Sequence, residues 1–324
     1  MNSVERPIIY NLSNEDYHRN PPYSEYLSST QLKAYAKSPK YAKFMLDNPQ
    51  ESTDAMRFGS MFHDLMALCS VHKGNLSSAF DEWERSIAVF QPPINAKTNK
   101  PFGSATNAYK DAYNAFVSTN TGKMLATNDE VTNLFKMASS LLYECGSTSL
   151  AVQYLLQRGT PEVSVFHQTE DGIKIKVRPD LLTKKKIIDW KTTTLDDLTE
   201  DSINRAILNY GYHISAAMYT WTYHEVTGEW LTFYLVFVQK QAPFDCVVVD
   251  MTNYTYRYLP DVDIVIPGPG ATEFKRLLGL HTKCTIENKW DGAETFIKGE
   301  RFRIMEINPP KYYLNKFIDI IEEI

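Results

Sequence analysis

The chain of 324 residues is 43% apolar and 23% charged, and its 34 Lys and Arg against 39 Asp and Glu leave a formal net charge of −5. These are the proportions of an ordinary globular protein, which excludes disordered and fibrous classes, and the mild acidity argues against a protein that coats nucleic acid through bulk charge. No run approaches the roughly 18 consecutive apolar residues of a membrane span, and MNSVERPIIYN lacks a signal-peptide core, so a cytoplasmic protein without membrane contact is expected.

Residues 26–70 read as helical. Within them SSTQLKAYAKSPKYAKF carries Lys33, Lys37, Lys40 and Lys43 with no intervening acid. Ser28 with Gln31 three residues later predicts a capping box that opens a helix, and Ser38-Pro39 predicts its end or restart. A lysine face of this kind is either solvated or a contact for phosphates. Residues 76–156 are also predicted mostly helical, interrupted by a loop at QPPINAKTNKPFGS. Strands are predicted at Glu162 to Gln168, Ile173 to Val177 and Ile187 to Lys191. One long helix should follow, with Ile203, Ile207, Tyr210, Ile214, Ala217 and Trp221 at helical spacing. Leu231 to Val238 and Cys246 to Asp250 read as further strands, Thr272 to Leu280 as helix, and DVDIVIPGPG as a loop. A helical N-terminal part feeding a mixed sheet flanked by helices is an α/β or α+β architecture. No linker divides it, so a single domain is expected: a helical part and insertion over about 26–156, a core over about 157–250, and an extension over 251–324. Cys69, Cys145, Cys246 and Cys284 are scattered without a CxxC pair, which predicts reduced core thiols and no zinc or iron–sulfur site.

The segment RPDLLTKKKIIDWK holds charges where a core strand should be apolar. A strand's period of two puts Ile187, Asp189 and Lys191 on one face and Ile188 and Trp190 on the other. If the polar turn Lys184 to Lys186 closes a hairpin with Ile173 to Val177, Asp180 returns beside Asp189. Two carboxylates and one ammonium then share a spot, which is unfavourable unless a cation compensates it. Magnesium takes such oxygen ligands, and a neighbouring lysine can orient a water or neutralise developing charge. Spacing alone leaves a surface salt bridge on an exposed hairpin equally open.

Other residues could complete a site. His63 lies beside the apolar stripe of RFGSMFHDLMALC, one turn from Gly59 and Ala67, so something can approach its ring. Glu162 opens a strand otherwise rich in Val and Phe. Tyr212, Ser215 and Tyr219 form a polar stripe on the long predicted helix. Each also has an ordinary structural reading as a boundary histidine, a polar strand end, or tyrosines with wet hydroxyls.

In order, FGxxxH, a Glu before a strand, PD, DWKTT and YGYHxxAAxY resemble the PD-(D/E)XK nuclease superfamily, and specifically the RecE-like exonucleases of phages and prophages. The openings LSNEDYHRNPPYSEYLSSTQLKAYAKSPKYAKF, GKMLATNDEV and NYGYHISAAMY are each similar to their counterparts there, over about residues 10–250. The resemblance implies a restriction-endonuclease-like core and a deoxyribonuclease that uses magnesium, with manganese as a substitute. Asp180 and Asp189 match the metal-binding acids, Lys191 the catalytic lysine, and His63 and Glu162 further contributors to the metal site. Tyr219 matches the tyrosine of a QxxxY motif whose glutamine is replaced here by Ser215, a side chain too short for the same reach, so that the substrate-positioning contact is lost, bridged by water or supplied by Tyr212. Lys33, Lys37 and Lys40 become candidate DNA contacts. The implied activity is digestion of double-stranded DNA from an end, 5′ to 3′, leaving 3′ strands for an annealing recombinase, by a homo-oligomeric ring. A repair or restriction endonuclease and a non-catalytic DNA-end scaffold are the alternatives.

Overall fold

The structure, a computed structural model, describes residues 6–48 and 53–292. In chain order β1 (Ile8–Ile9) and α1 (Asn14–Arg19) form an N-terminal strap, followed by α2 (Ser29–Ala34), α3 (Pro39–Asp47), α4 (Asp54–Val71) and α5 (Leu76–Ser86). Both expected helix starts are present. Ser28 and Gln31 make a reciprocal capping box, and Ser38 caps α3 with Pro39 in its first turn, where the missing N–H leaves no helical bond unmade.

The next stretch is helical with unpredicted strands attached. It comprises β2 (Ile87–Phe90), a two-residue hairpin β3 (Ile94–Asn95) and β4 (Lys100–Pro101), α6 (Asn107–Thr119), β5 (Met124–Thr127) and α7 (Asn128–Ser139). A π-helical turn, Ser140–Glu144, then leads into α8 (Ser147–Arg158). β2 and β5 pair in parallel, and the expected loop at 91–104 contains β3 and β4.

The core follows as β6 (Thr160–Pro161), β7 (Ser164–Gln168), β8 (Lys174–Val177), β9 (Leu181–Leu182), β10 (Lys186–Thr193), α9 (Glu200–Asn209), α10 (Tyr212–Thr227), β11 (Thr232–Gln239) and β12 (Cys246–Asp250). β13 (Tyr256–Leu259), β14 (Ile264–Pro267) and α11 (Pro269–Glu287) complete the described chain. Among the described residues no helix is long and apolar enough to cross a membrane.

A five-stranded sheet runs β12-β11-β10-β9-β6, and β10 and β11 are parallel along their whole length, from Lys186 opposite Thr232 to Thr193 opposite Gln239. Their crossover is α9 and α10, as a parallel pair requires. β10 and β11 are covered on both faces, which explains the near-continuous apolar run of TFYLVFVQ. Ile187, Phe233, Leu235 and Phe237 pack into one core with α2, α10 and α11; Ile188, Trp190, Val236 and Val238 pack into a second with α4, α5, α7 and α8. The predicted alternation of β10 is therefore real.

Three expectations are corrected. First, β8 does not pair with β10. It belongs to a separate sheet, β1-β7-β8, and the strand that folds back on β10 is the two-residue β9. Second, the long helix is two, broken where Gly211 takes a left-handed conformation with φ 63° between α9 and α10. Third, DVDIVIPGPG contains strand β14, and its glycines serve packing. A Cβ on Gly268 would meet the backbone of Asn253 and Tyr254 at 2.5–2.8 Å, so only glycine lets α11 begin so close to that turn. The expected extension 251–324 lies outside the described residues beyond 292.

Candidate active site

Arg178-Pro179-Asp180 carries the chain from the three-stranded sheet to the five-stranded one. Asp180 is fixed at that passage because its Oδ2 accepts the backbone N–H of Trp190 at 2.7 Å. Asp189 projects from the preceding position of β10, and both carboxyls are buried. Lys191, two residues on and on the same face, forms an ion pair with Asp189. The strand period brings Asp189 and Lys191 together, while the sheet-to-sheet passage adds Asp180.

His63 enters from α4. Its Nε2 is 2.9 Å from the carbonyl oxygen of Trp190, which can only accept, so Nε2 carries the proton and Nδ1 faces Asp180 Oδ1 at 3.2 Å. Burial works against a charged ring, but the Asp180 carboxylate outweighs it and holds His63 up to about 9. Burial likewise opposes the charged form of Asp180, and His63 and Lys191 overcome it and keep its carboxyl below the usual range. Asp189 goes the other way, raised by burial and by the charge of Asp180 against the pull of Lys191. The amine of Lys191 is desolvated, yet Asp189 and Asp180 hold it protonated. This is the uneven titration of two carboxylates crowded into one place.

Glu162 sits between β6 and β7 with φ 54°, a left-handed conformation that disfavours a side-chain-bearing residue by about 1–2 kcal/mol. Burial and the nearby Asp180 push its carboxyl up to about 7, and Arg178 Nη1 lies 3.8 Å away. Tyr219 on α10 meets the backbone of Arg178 and packs edge-on against Phe233; burial raises its phenol well above the usual value, so it stays a donor.

Asp180, Glu162, His63 and Tyr219 line a polar cleft of about 230 Å³ together with Asn14, Tyr17, His18, Ser28, Ser29, Thr30, Ser60, Asp64 and Arg178. A larger space of about 650 Å³ lies by Lys184 to Lys186, lined mainly by apolar surface from α8, and gathers no carboxylates. The smaller cleft is the one that gathers the carboxyls of Asp180, Glu162 and Asp64, with Asp189 and Lys191 outside its lining. Tyr212 and Ser215 are outside its lining, although the Tyr212 ring centre is 5.1 Å from Lys191 Nζ and 5.8 Å from Lys33 Nζ.

Of the lysine face, only Lys33 reaches the site. Burial, with Lys191 adding repulsion, pulls it down to about 8, and it donates to the carbonyl of Tyr210 at 3.2 Å. Lys37 is exposed and donates to the Tyr41 hydroxyl at 3.3 Å, and Lys40 is exposed on α3. Sequence reasoning missed three contributors. Arg178 is buried beneath the cleft, where it donates to Ser164 Oγ, Asn14 Oδ1 and the Leu12 carbonyl at 2.7–3.1 Å. Asp64, beside His63, is pushed up to about 6 by burial. The strap residues Asn14, Tyr17 and His18 arrive by a long-range contact that no local pattern reports. An arginine next to PD and an aspartate next to the histidine were the available signals.

The donor set of two aspartates, a glutamate and one imidazole nitrogen is hard and mostly oxygen, and the mutual repulsion of its acids is what a divalent cation relieves. Those residues suit a hard divalent cation.

Paired acids on PD and DxK with the lysine beside them, on the central strand of a mixed sheet flanked by helices, define the PD-(D/E)XK superfamily. The chain belongs to the family described as "PDDEXK-like domain of unknown function (DUF3799)", whose model matches residues 28–259. The strap before Ser28 lies outside that match. A solved Eubacterium rectale structure described as a "Putative exonuclease" is 15% identical, covering 95% of this chain and 99% of its own, with a TM-score of 0.48. No curated protein matches the chain.

Proposed function

We propose that the protein is a metal-dependent exodeoxyribonuclease of the RecE-like type, acting on double-stranded DNA from an end in the 5′ to 3′ direction and leaving 3′ strands for annealing by a recombinase. The observation that carries the reading is the convergence of Asp180, Asp189 and Lys191 at one buried place, completed by His63 and Glu162. A structural ion pair needs one acid and one base; it does not need a second buried acid and a histidine beside it, with Asp180, His63 and Glu162 opening on a cleft.

Asp180, Asp189, Glu162 and Nδ1 of His63 would hold magnesium or manganese. When bound, the cation supplies Lewis-acid polarisation of the phosphodiester and relieves the repulsion among the acids. The remaining work falls to the chain. The Trp190 amide and His63 fix the orientation of Asp180, so this ligand is set before substrate arrives. Lys191 Nζ orients the attacking water and stands beside the negative charge that grows on the phosphate oxygens. Without a cation, burial and Asp180 hold the Glu162 carboxyl up near 7, a penalty that a bound cation would relieve, and the Tyr219 hydroxyl remains a donor. Lys33 adds a second positive group for the adjacent phosphate, without reading sequence.

The test is linear duplex DNA labelled at its 5′ or its 3′ end, with magnesium or with chelator, beside the same duplex closed into a circle. Magnesium-dependent release of the 5′ label with the circle intact is expected. Cutting of the circle would replace this reading with an endonuclease, and no cleavage with any divalent cation would leave a DNA-end scaffold.

A further inference from the structure

Folding brings together two of the cysteines that the sequence leaves scattered. Cys145, directly after the π-helical turn, and Cys246, at the start of β12, come together beside Asp245, and one ligand atom from each lies within 4.8 Å of the others. We propose that Cys145, Cys246 and Asp245 form a binding site for a thiophilic divalent cation of the zinc class.

Ligands 2.0–2.3 Å from a tetrahedral ion stand about 3.3–3.8 Å apart, so these donors need only a small contraction to surround one. Cys145 Sγ is already 3.8 Å from Asp245 Oδ1. The backbone around the donors is firm. Asp245 Oδ1 accepts the Cys246 amide at 2.8 Å, Gln239 Oε1 accepts the Asp245 amide at 3.1 Å, and Ser149 Oγ accepts the Cys145 amide at 2.9 Å. Cys246 is buried in the core that also holds Trp190 and Val238, whereas Cys145 is half-buried and Asp245 exposed, which gives an ion a path from solvent. A π-helical turn is uncommon and concentrates at functional positions; here it ends at one of the donors.

Two thiolates and a carboxylate suit zinc and are poor ligands for magnesium, so this site is chemically distinct from the acid cluster at Asp180 and Asp189. It is also separate in space. Cys246 pairs with Val238 of β11, two strands across from β10, and it packs into the core on the sheet face opposite Asp189 and Lys191. On binding, each thiol gives its proton to solvent and a sulfur lone pair to the ion, so two protons leave per ion bound. With three protein donors, the fourth position stays open to water.

Cobalt titration of the full chain tests the site, because thiolate coordination to cobalt produces sulfur-to-metal charge-transfer absorption that carboxylate coordination does not. One equivalent should give that absorption in the wild type and equally in Asp180→Asn, in which the acid cluster is impaired. Cys145→Ser should bind roughly tenfold or more weakly and lose the band. Asp245→Asn, which keeps an acceptor for the Cys246 amide, should weaken binding while preserving the fold by circular dichroism. The same preparation, denatured without reductant, should show all four thiols. No charge-transfer band at saturating cobalt, or a band unchanged in both variants, would overturn the proposal. So would two missing thiols, which would mean that Cys145 and Cys246 are joined as a disulfide.

Discussion

Lys191 is the most exposed to test among the site residues, because its amine is held charged by the same carboxylates that would hold the cation. Removing it leaves Asp180 fixed by the Trp190 amide and by His63, so the cleft should survive. Lys191→Ala is expected to lower the single-turnover cleavage rate about 100-fold or more with DNA affinity within a few-fold of wild type, measured by rapid quench and by fluorescence anisotropy in calcium. A variant that binds and cleaves like the wild type would reduce the Asp189–Lys191 pair to structure. Residues of this kind were legible in the sequence because their signal is local. Charges on an apolar strand at a spacing of two stand out wherever the strand ends up, and PD, DWK and His63 were readable for that reason. Arg178 was not, because its value comes from partners at Leu12, Asn14 and Ser164 that only the folded chain assembles.

At the scale of elements, what escaped the sequence was the choice of partner. β8 alternates like a hairpin strand, but nothing in its residues says that it pairs with β7 and that β9 replaces it beside β10. The break at Gly211 was hidden because the apolar period of α9 runs on into α10 with little change of phase. That break has a consequence for the site. A Cβ at Gly211 would stand 2.9 Å from Lys33 Cδ, so the glycine supplies both the left-handed turn and the space along which Lys33 reaches Tyr210. Gly211→Ala should lower stability by about 1–2 kcal/mol in chemical denaturation and displace Lys33, raising KM for DNA several-fold. In a double-mutant cycle with Lys33→Ala, the two effects on KM should fail to add, whereas the stability loss should persist. The strap offers a second prediction. Lys176 is buried, donates to the carbonyls of Tyr17 and Tyr23, and is pulled down to about 8 by burial and by Arg178. Between pH 8 and its ordinary value of 10.5 the unfolded chain binds more protons at this lysine than the folded one, so this group makes stability rise with pH across that window. The wild type should therefore gain stability relative to Lys176→Met by up to about 1.4 kcal/mol per pH unit from pH 8 to 10, read by urea denaturation. A constant difference between the two would mean that Lys176 titrates normally.

For the whole molecule the difficulty is charge, since under the proposed function a chain of net charge −5 has to hold a polyanion. Among the described residues the cations near the cleft that are left for phosphate are few: Lys191 and Lys33, since His63 is paired with Asp180 and Arg178 already donates to Ser164, Asn14 and Leu12. One chain can then neutralise only a phosphate or two, and log K against log salt should have a slope near −1 to −2. A ring of copies around the duplex would change that arithmetic, because each copy would turn its few lysines toward one axis and keep its acidic majority outside. In that arrangement the slope should steepen by about 0.9 for each additional phosphate contacted, and the full chain should sediment as a multimer without DNA. The two measurements check each other. A multimer with a steep slope supports the ring, and replacing Lys33 by Ala should then flatten the slope by more than the single unit expected of a monomer, since every copy loses a cation at once. A monomer with a shallow slope would confine the enzyme to weak, distributive engagement of DNA ends, and the ring would have to be abandoned.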